Sequence, residues 1–321
     1  MRFIHDDSQF DDLLRVVADD RHLALALVEK DYWVTHVLWG LHEQGFDVWF
    51  KGGTSLSKGF GLIERFSEDL DVKVEPGRQE DMPRVGSWTG TGTKATAERR
   101  ASFEWLAGNL RVPGATVRLE VERSEARRWR AADIQVLYPA RHLATLPAGM
   151  KPYVLLEVGS ARVVPFVARD LTSFIHEHLA AMGLASSYAD NRPHAIRCVH
   201  PLVTLLEKLD ALNRRAPQHD VDAATYVRHY EDAARIVGAF EALPPLPEHR
   251  DVRALADEMC SERQLRGVPV VDDVGLDPSR LPHERRIRGA YQALTPMYWG
   301  PRLTLDQACE AVRIWVRNHL G

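Results

Sequence analysis

Phe46-Asp-Val-Trp-Phe-Lys51-Gly-Gly-Thr-Ser-Leu-Ser-Lys58, followed by Arg65-Phe-Ser-Glu-Asp-Leu-Asp71-Val-Lys-Val74, is the stretch that decides how this chain reads. Phe46 to Phe50 is a short apolar run of strand type, and Gly52-Gly53 makes a turn into a helix expected to run through Glu64. Asp69 to Val74 then alternates polar and apolar residues, so Asp69 and Asp71 share one face of a second strand. Two carboxylates side by side repel, and a divalent cation removes that cost. Magnesium in particular takes one or two carboxylates together with triphosphate oxygens. The glycine turn complements this pair, because a backbone without Cβ lets phosphates approach closely. Thr54, Ser55 and Ser57 add hydroxyls, and Lys51 and Lys58 add positive charge. Either piece alone is commonplace; their order, with about fifteen residues between them, points to phosphoryl or nucleotidyl transfer.

Working outward, Ser8 to Gln44 reads as two helices ended by Gly45. Pro76 to Thr93 is a polar, glycine- and proline-rich loop, and a helix covers Thr96 to Leu110. Three strand-like runs follow at Ala115 to Val121, Asp133 to Tyr138 and Tyr153 to Val158. Beyond Arg169 helices dominate, with one short strand near Ile196 and a long surface loop over Val268 to Pro282. The fold class is therefore α/β, a mixed-sheet core with flanking helices followed by a mainly helical C-terminal region. The expected domains are 1–195 and 196–321.

Composition narrows the function classes. The chain has 321 residues, a formal net charge of −4 and three cysteines without metal-ligand spacing. That balance does not advertise a general polyanion binder, and the cysteines argue against a disulfide framework or a zinc site. No apolar run reaches membrane-spanning length, so the expectation is a cytoplasmic protein with no membrane partner. Gly90-Thr-Gly92-Thr-Lys94 lacks the Gly-Lys-Ser/Thr ending of a P-loop. Two arginine clusters, Arg123 to Arg130 around Trp129 and Arg280 to Arg288 near Tyr291, could hold phosphate and stack a base, or could be solvated faces.

Lys51 to Lys58 and Arg65 to Asp71 resemble the signature of the AbiEii/AbiGii nucleotidyltransferase toxins, within the DNA-polymerase-β-like nucleotidyltransferase superfamily. Glu29-Lys30-Asp31-Tyr32-Trp33-Val34 is similar to the helix that leads into that signature. Tyr153-Val-Leu-Leu-Glu157-Val is similar to the strand carrying a third carboxylate. Glu207-Lys208 and Arg228-His-Tyr-Glu-Asp232 are similar to the C-terminal motif, with His229 where the family often has an acidic residue. The resemblance implies a metal site of Asp69, Asp71 and Glu157 for Mg2+ or Mn2+. It implies catalytic roles for these three with Lys208 and Asp232, Lys208 meeting the triphosphate. Lys51, Gly52, Gly53, Thr54, Ser55, Lys58, Arg65, Ser67, Lys208 and Arg228 would line the nucleotide. It further implies a toxin of a toxin–antitoxin or abortive-infection (phage-defence) system. Such a toxin moves a nucleoside monophosphate from an NTP onto RNA, expected at a tRNA 3′ end, and stops translation until a cognate antitoxin intervenes. Transfer to a small-molecule or protein hydroxyl, and an inactive nucleotide- or RNA-binding module, stay open as alternatives.

Overall fold

The computed structural model describes residues 1–67, 69–147, 150–218, 220–247 and 251–321. The chain divides into two compact units, one of residues 1–59, 66–163 and 168–198, the other of residues 60–65, 164–167 and 199–321.

The first unit opens with α1 (Phe10–Arg21) and α2 (Leu25–Glu43). Helix α2 is buried around nearly its whole circumference, as an internal helix must be, yet it carries Glu29, Lys30 and Asp31 in sequence. Each of these charges is at most 4% exposed, and buried charges persist only where they are paired or hydrogen-bonded. Glu29 accepts the backbone N–H groups of Arg141 and His142. Lys30 donates to the carbonyl of Lys151 at 2.7 Å. Asp31 accepts the N–H of Phe174 and pairs with Lys58. Three consecutive charges thereby tie two separate loops, the start of the helix at Phe174 and the end of the helix at Lys58 to one central rod. The next turns of α2 add Tyr32 and His36, joined by hydrogen bonds through Asn191 to His176 and, through Tyr32, to His5.

The remaining elements of this part of the chain are β1 (Asp47–Lys51), α3 (Gly52–Lys58), β2 (Asp69–Glu75), α4 (Thr93–Asn109), β3 (Thr116–Glu120), α5 (Val121–Ala126), β4 (Ala131–Leu137), β5 (Val154–Gly159), β6 (Phe166–Arg169), α6 (Phe174–Ala181) and β7 (Ile196–Val199). The strands form one mixed sheet in the order β3-β4-β5-β2-β1-β7-β6. Val48, Phe50, Leu70, Val72, Val74, Ile134, Val136, Leu156 and Val158 are all buried and make the core face. Strand alternation sends their neighbours, including Asp69, Asp71 and Glu157, to the opposite face. Helix α3 stops at Lys58 rather than running to Glu64. Gly59 and Gly61, the latter at φ +63°, end it where the chain crosses into the second unit. The short α5 and β6 were not expected from the sequence, since runs this brief carry too little periodicity.

In the second unit, α7 (Pro201–Arg215), α8 (Ala223–Gly238), α9 (Val252–Ser261), α10 (Glu284–Ala293) and α11 (Leu305–His319) are the α-helices among the described residues. Helix α8 is central and packs against α7, α10 and α11. Its start is fixed by Asp222, whose carboxylate accepts the N–H of Ala224. The stretch expected as a surface loop, Val268 to Pro282, is instead partly core. Leu276 is buried, and a Cβ on Gly275 would lie 2.6 Å from the carbonyl carbon of Leu212. Two short 3-10 turns, Val274–Leu276 and Pro278–Arg280, hold it there, and such turns are too short to register as periodic pattern.

Candidate functional site

Strand register sets the first constellation. Lys51 on β1 pairs with Asp71 on β2, Asp71 with Glu157 on β5, and Glu157 with Asp133 on β4. Directly paired residues point the same way, so one row across four strands reads Lys51, Asp71, Glu157, Asp133. Asp69 stands two residues along β2 on the same face. Its Oδ1 lies 3.9 Å from Nζ of Lys151, the residue whose carbonyl is held by buried Lys30.

The glycine turn is fitted to this row. Gly52 sits at φ +73°, and a Cβ there would fall 1.9 Å from Oδ2 of Asp71. Glycine is required twice over, for the backbone angle and for the carboxylate packed against it. Thr54 is buried, and its Oγ1 lies 2.7 Å from the carbonyl of Asp69 and 3.0 Å from that of Ser67. Its hydroxyl therefore pins the start of β2. Ser55 is buried among the residues of α3, and Lys58 is turned to Asp31 and to the carbonyl of Thr172.

Asp133 was not singled out from the sequence. It is fully buried, with Arg127 at 2.7 Å from Oδ1 and Arg123 at 3.0 Å from Oδ2. The same Arg127 donates to Oε1 of Glu157 at 3.0 Å. The available signal was an acid inside an otherwise apolar strand, the same feature that marks Glu157. The arginine cluster around Trp129 is thus partly committed to these carboxylates. Trp129 itself is buried, under the guanidinium of Arg100, and offers no open face for a base. In the other cluster, Arg288 clamps Glu284 and Asp306.

Asp69 and Asp71 present hard oxygen donors of the kind magnesium takes, and Asp71 is seated in a cradle that any Cβ at Gly52 would fill. Glu157 stands beside them in register but is engaged by Arg127. Among the described residues no group of three or more His, Cys, Asp or Glu side chains converges closely enough to hold a metal ion. Asp69 and Asp71 are the residues that could hold a divalent cation here, with Glu157 beside them, leaving further positions for phosphate oxygens and water.

The second unit gathers Arg65, Lys208 and Asp232. Arg65 makes a two-pronged bond to Asp232, Nε to Oδ1 at 2.8 Å and Nη2 to Oδ2 at 2.7 Å. Lys208 donates to Oδ2 at 2.8 Å. All three are buried, so none is an ordinary helix-surface residue. Burial alone would raise the Asp232 carboxyl, but the charges and hydrogen bonds of Arg65 and Lys208 outweigh it and hold it well below the usual range. His229, where the sequence departs from the expected acid, is half-buried and held neutral by desolvation and by Lys208. Arg228 is half-buried on the same helix. Its neighbour Glu231 anchors a separate network with Arg302 and Tyr291, which the sequence did not reveal.

The family model of nucleotidyl transferase AbiEii toxins of type IV toxin–antitoxin systems matches residues 39–302. This chain belongs to the AbiEii family. Neither the curated proteins nor the solved structures gave a match. Family membership makes it a nucleotidyltransferase toxin with a nucleotide substrate and a cognate antitoxin. The matched span holds every candidate site residue of both units but leaves out Glu29-Lys30-Asp31, so the structural role of that buried triplet comes from the geometry alone. Among the described residues no helix is long and apolar enough to cross a membrane.

Proposed function

We propose that this AbiEii-family chain transfers a nucleoside monophosphate from an NTP to the 3′-hydroxyl of an RNA, expected to be tRNA, and so blocks translation in the cytoplasm until its antitoxin intervenes. The observation that carries this reading is the seating of Asp71 against Gly52, in register with Glu157 and beside Asp69. Asp69 and Asp71 would hold Mg2+ or Mn2+, which when bound supplies charge neutralisation for the triphosphate.

In the transfer, the 3′-oxygen forms a bond to the α-phosphorus, the α–β P–O bond breaks, and pyrophosphate leaves. The hydroxyl proton goes to Glu157, whose Oε1 is occupied by Arg127 and whose Oε2 is the oxygen assigned to receive it. Gly52 yields its side-chain space to the Asp71 carboxylate, Gly53 follows it at the start of α3 beside the triphosphate, and Lys51 contributes charge. Thr54 acts by positioning Asp69, since its hydroxyl is spent on the β2 backbone. Lys58 is engaged by Asp31, which weighs against direct contact with phosphate. In the helical unit, the 2.8 Å bond from Lys208 to Asp232 supports Asp232 as the residue that positions Lys208.

Asp71→Asn is the test. The amide keeps the size of the side chain but removes the charge that a cation needs. Pyrophosphate release should fall by at least about 100-fold, the scale for losing one preorganised electrostatic group, with an unchanged unfolding midpoint. Normal release by the variant would overturn the assignment.

A further inference from the structure

A recess of about 220 Å³ opens beside the carboxylate row in the first unit, and its lining carries both acids and cations. Asp71 and Glu157 line it together with the cations Lys51, Lys73 and Arg130. Ala131, Gly159 and Ser160 also line it, and these small residues leave the space open. The register explains the arrangement. Lys73 follows Asp71 by two residues on β2, Gly159 follows Glu157 by two on β5, and Gly159 pairs with Ala131. The recess therefore continues the same sheet face, one row further from Gly52. Arg130 is exposed, whereas Lys73 pairs with Glu75 at 2.9 Å and also lies over the ring of Trp49.

We propose that this recess is the acceptor subsite, and that it takes the 3′-terminal nucleotide of a single RNA strand. The inference rests on the nucleotidyltransferase reading above. A 3′-terminal nucleotide carries its hydroxyl at one end of the ribose and its phosphodiester at the other. The recess has the matching polarity, with carboxylates to receive the hydroxyl proton and cations to hold the phosphate. Direction along the strands supports the same occupant. The glycine turn and Thr54 lie at the Asp69 end of β2, Thr54 bonding the Asp69 carbonyl, whereas the recess extends from Asp71 towards Lys73. Attacking and leaving oxygens must lie roughly in line through the transferred phosphorus. With the triphosphate at the glycine turn, the attacking strand comes from the other side of the carboxylate pair, where the recess is. Arg130 and Lys73 are the phosphate-binding residues, and Ala131 and Gly159 form the floor beneath the ribose.

The test uses the full chain with an RNA acceptor and compares Arg130→Glu, Lys73→Ala and Gly159→Leu. The first two remove positive charge. The third fills the floor, where a Cβ would meet only the Ala131 Cβ at 3.8 Å, so the backbone tolerates it. Each should raise KM for RNA by roughly tenfold or more, the scale of a charge-assisted hydrogen bond, with KM for the NTP unchanged. Binding of a fluorescent single-stranded RNA without NTP should weaken in parallel. For the two charge variants, its salt dependence should flatten by about 0.7 in log–log slope per phosphate no longer neutralised. A rise in KM for the NTP with RNA unaffected would reassign the recess to the triphosphate and overturn the proposal. No change in either constant would overturn it as a solvated surface. If the wild-type protein labels protein or small hydroxyl compounds and no RNA, the acceptor reading itself fails, and that appears before any variant is made.

Discussion

Gly52→Ala is the substitution whose consequences the geometry states most fully. Two separate costs arise. An alanine at φ +73° occupies the left-handed region, which costs an L-residue about 1–2 kcal/mol. Its Cβ would also fall 1.9 Å from Oδ2 of Asp71, against 3.4 Å for ordinary contact, so the carboxylate must retreat by about 1.5 Å. Rotating it out of place adds about 0.5–1.5 kcal/mol, for a total loss of roughly 1.5–3.5 kcal/mol in stability. The effect on transfer is larger, since a misplacement of about 1 Å can cost 100-fold in rate. Denaturant unfolding and pyrophosphate release, measured on Gly52→Ala, Asp71→Ala and the double variant, separate the two costs. In the Asp71→Ala background the carboxylate clash is gone, leaving the backbone cost of about 1–2 kcal/mol and a tight 3.1 Å approach to the Cβ of residue 71, so a coupling of up to roughly 1 kcal/mol between the two positions is expected. Equal destabilisation by Gly52→Ala in both backgrounds, or full transfer by the single variant, would refute the claim that Gly52 is glycine for the sake of Asp71.

Further expectations concern the buried charges. Asp232→Ala leaves Arg65 and Lys208 as buried cations without their shared carboxylate, and should destabilise by about 3–5 kcal/mol; an unfolding midpoint within experimental error of wild type would contradict the packing described for the second unit. Burial lowers His36 and His176 to about 4 from an ordinary 6.5, so both are neutral in the folded state and take up protons on unfolding below about pH 6.5. Stability should therefore be full above that pH and decline as pH falls towards about 4, read as a falling melting temperature. A flat profile from about pH 7.5 to 4.5 would show that the network through Asn191 is not closed as described.

How much of this was legible in the sequence depends on the range over which each signal acts. Asp69 and Asp71 were readable because strand alternation is local and of period two, and Glu157 because a lone acid in Tyr153 to Val158 demands a partner. Asp133 escaped because its meaning lies in register, which aligns it with Glu157 across strands more than twenty residues apart. The Glu29-Lys30-Asp31 run looked like part of a signature, and its partners at 141–142, 151, 58 and 174 are set only by folding. Trp129 looked like a stacking platform beside arginines. Its backbone at φ +55° turns it inward, and no composition rule anticipates that. Lys58 sits in the glycine motif by sequence yet is drawn to Asp31, because a half-buried lysine goes to the nearest buried carboxylate.

One experiment bears most directly on the central claim. Purified protein is incubated with magnesium, each labelled nucleoside triphosphate in turn and total bacterial RNA, alongside Asp69→Ala. Label in tRNA-sized bands, present with the wild-type chain and absent with the variant, is the expected result. Label that reaches RNA equally well with Asp69→Ala, or no label in RNA while pyrophosphate is released and label enters other acceptors, would contradict it.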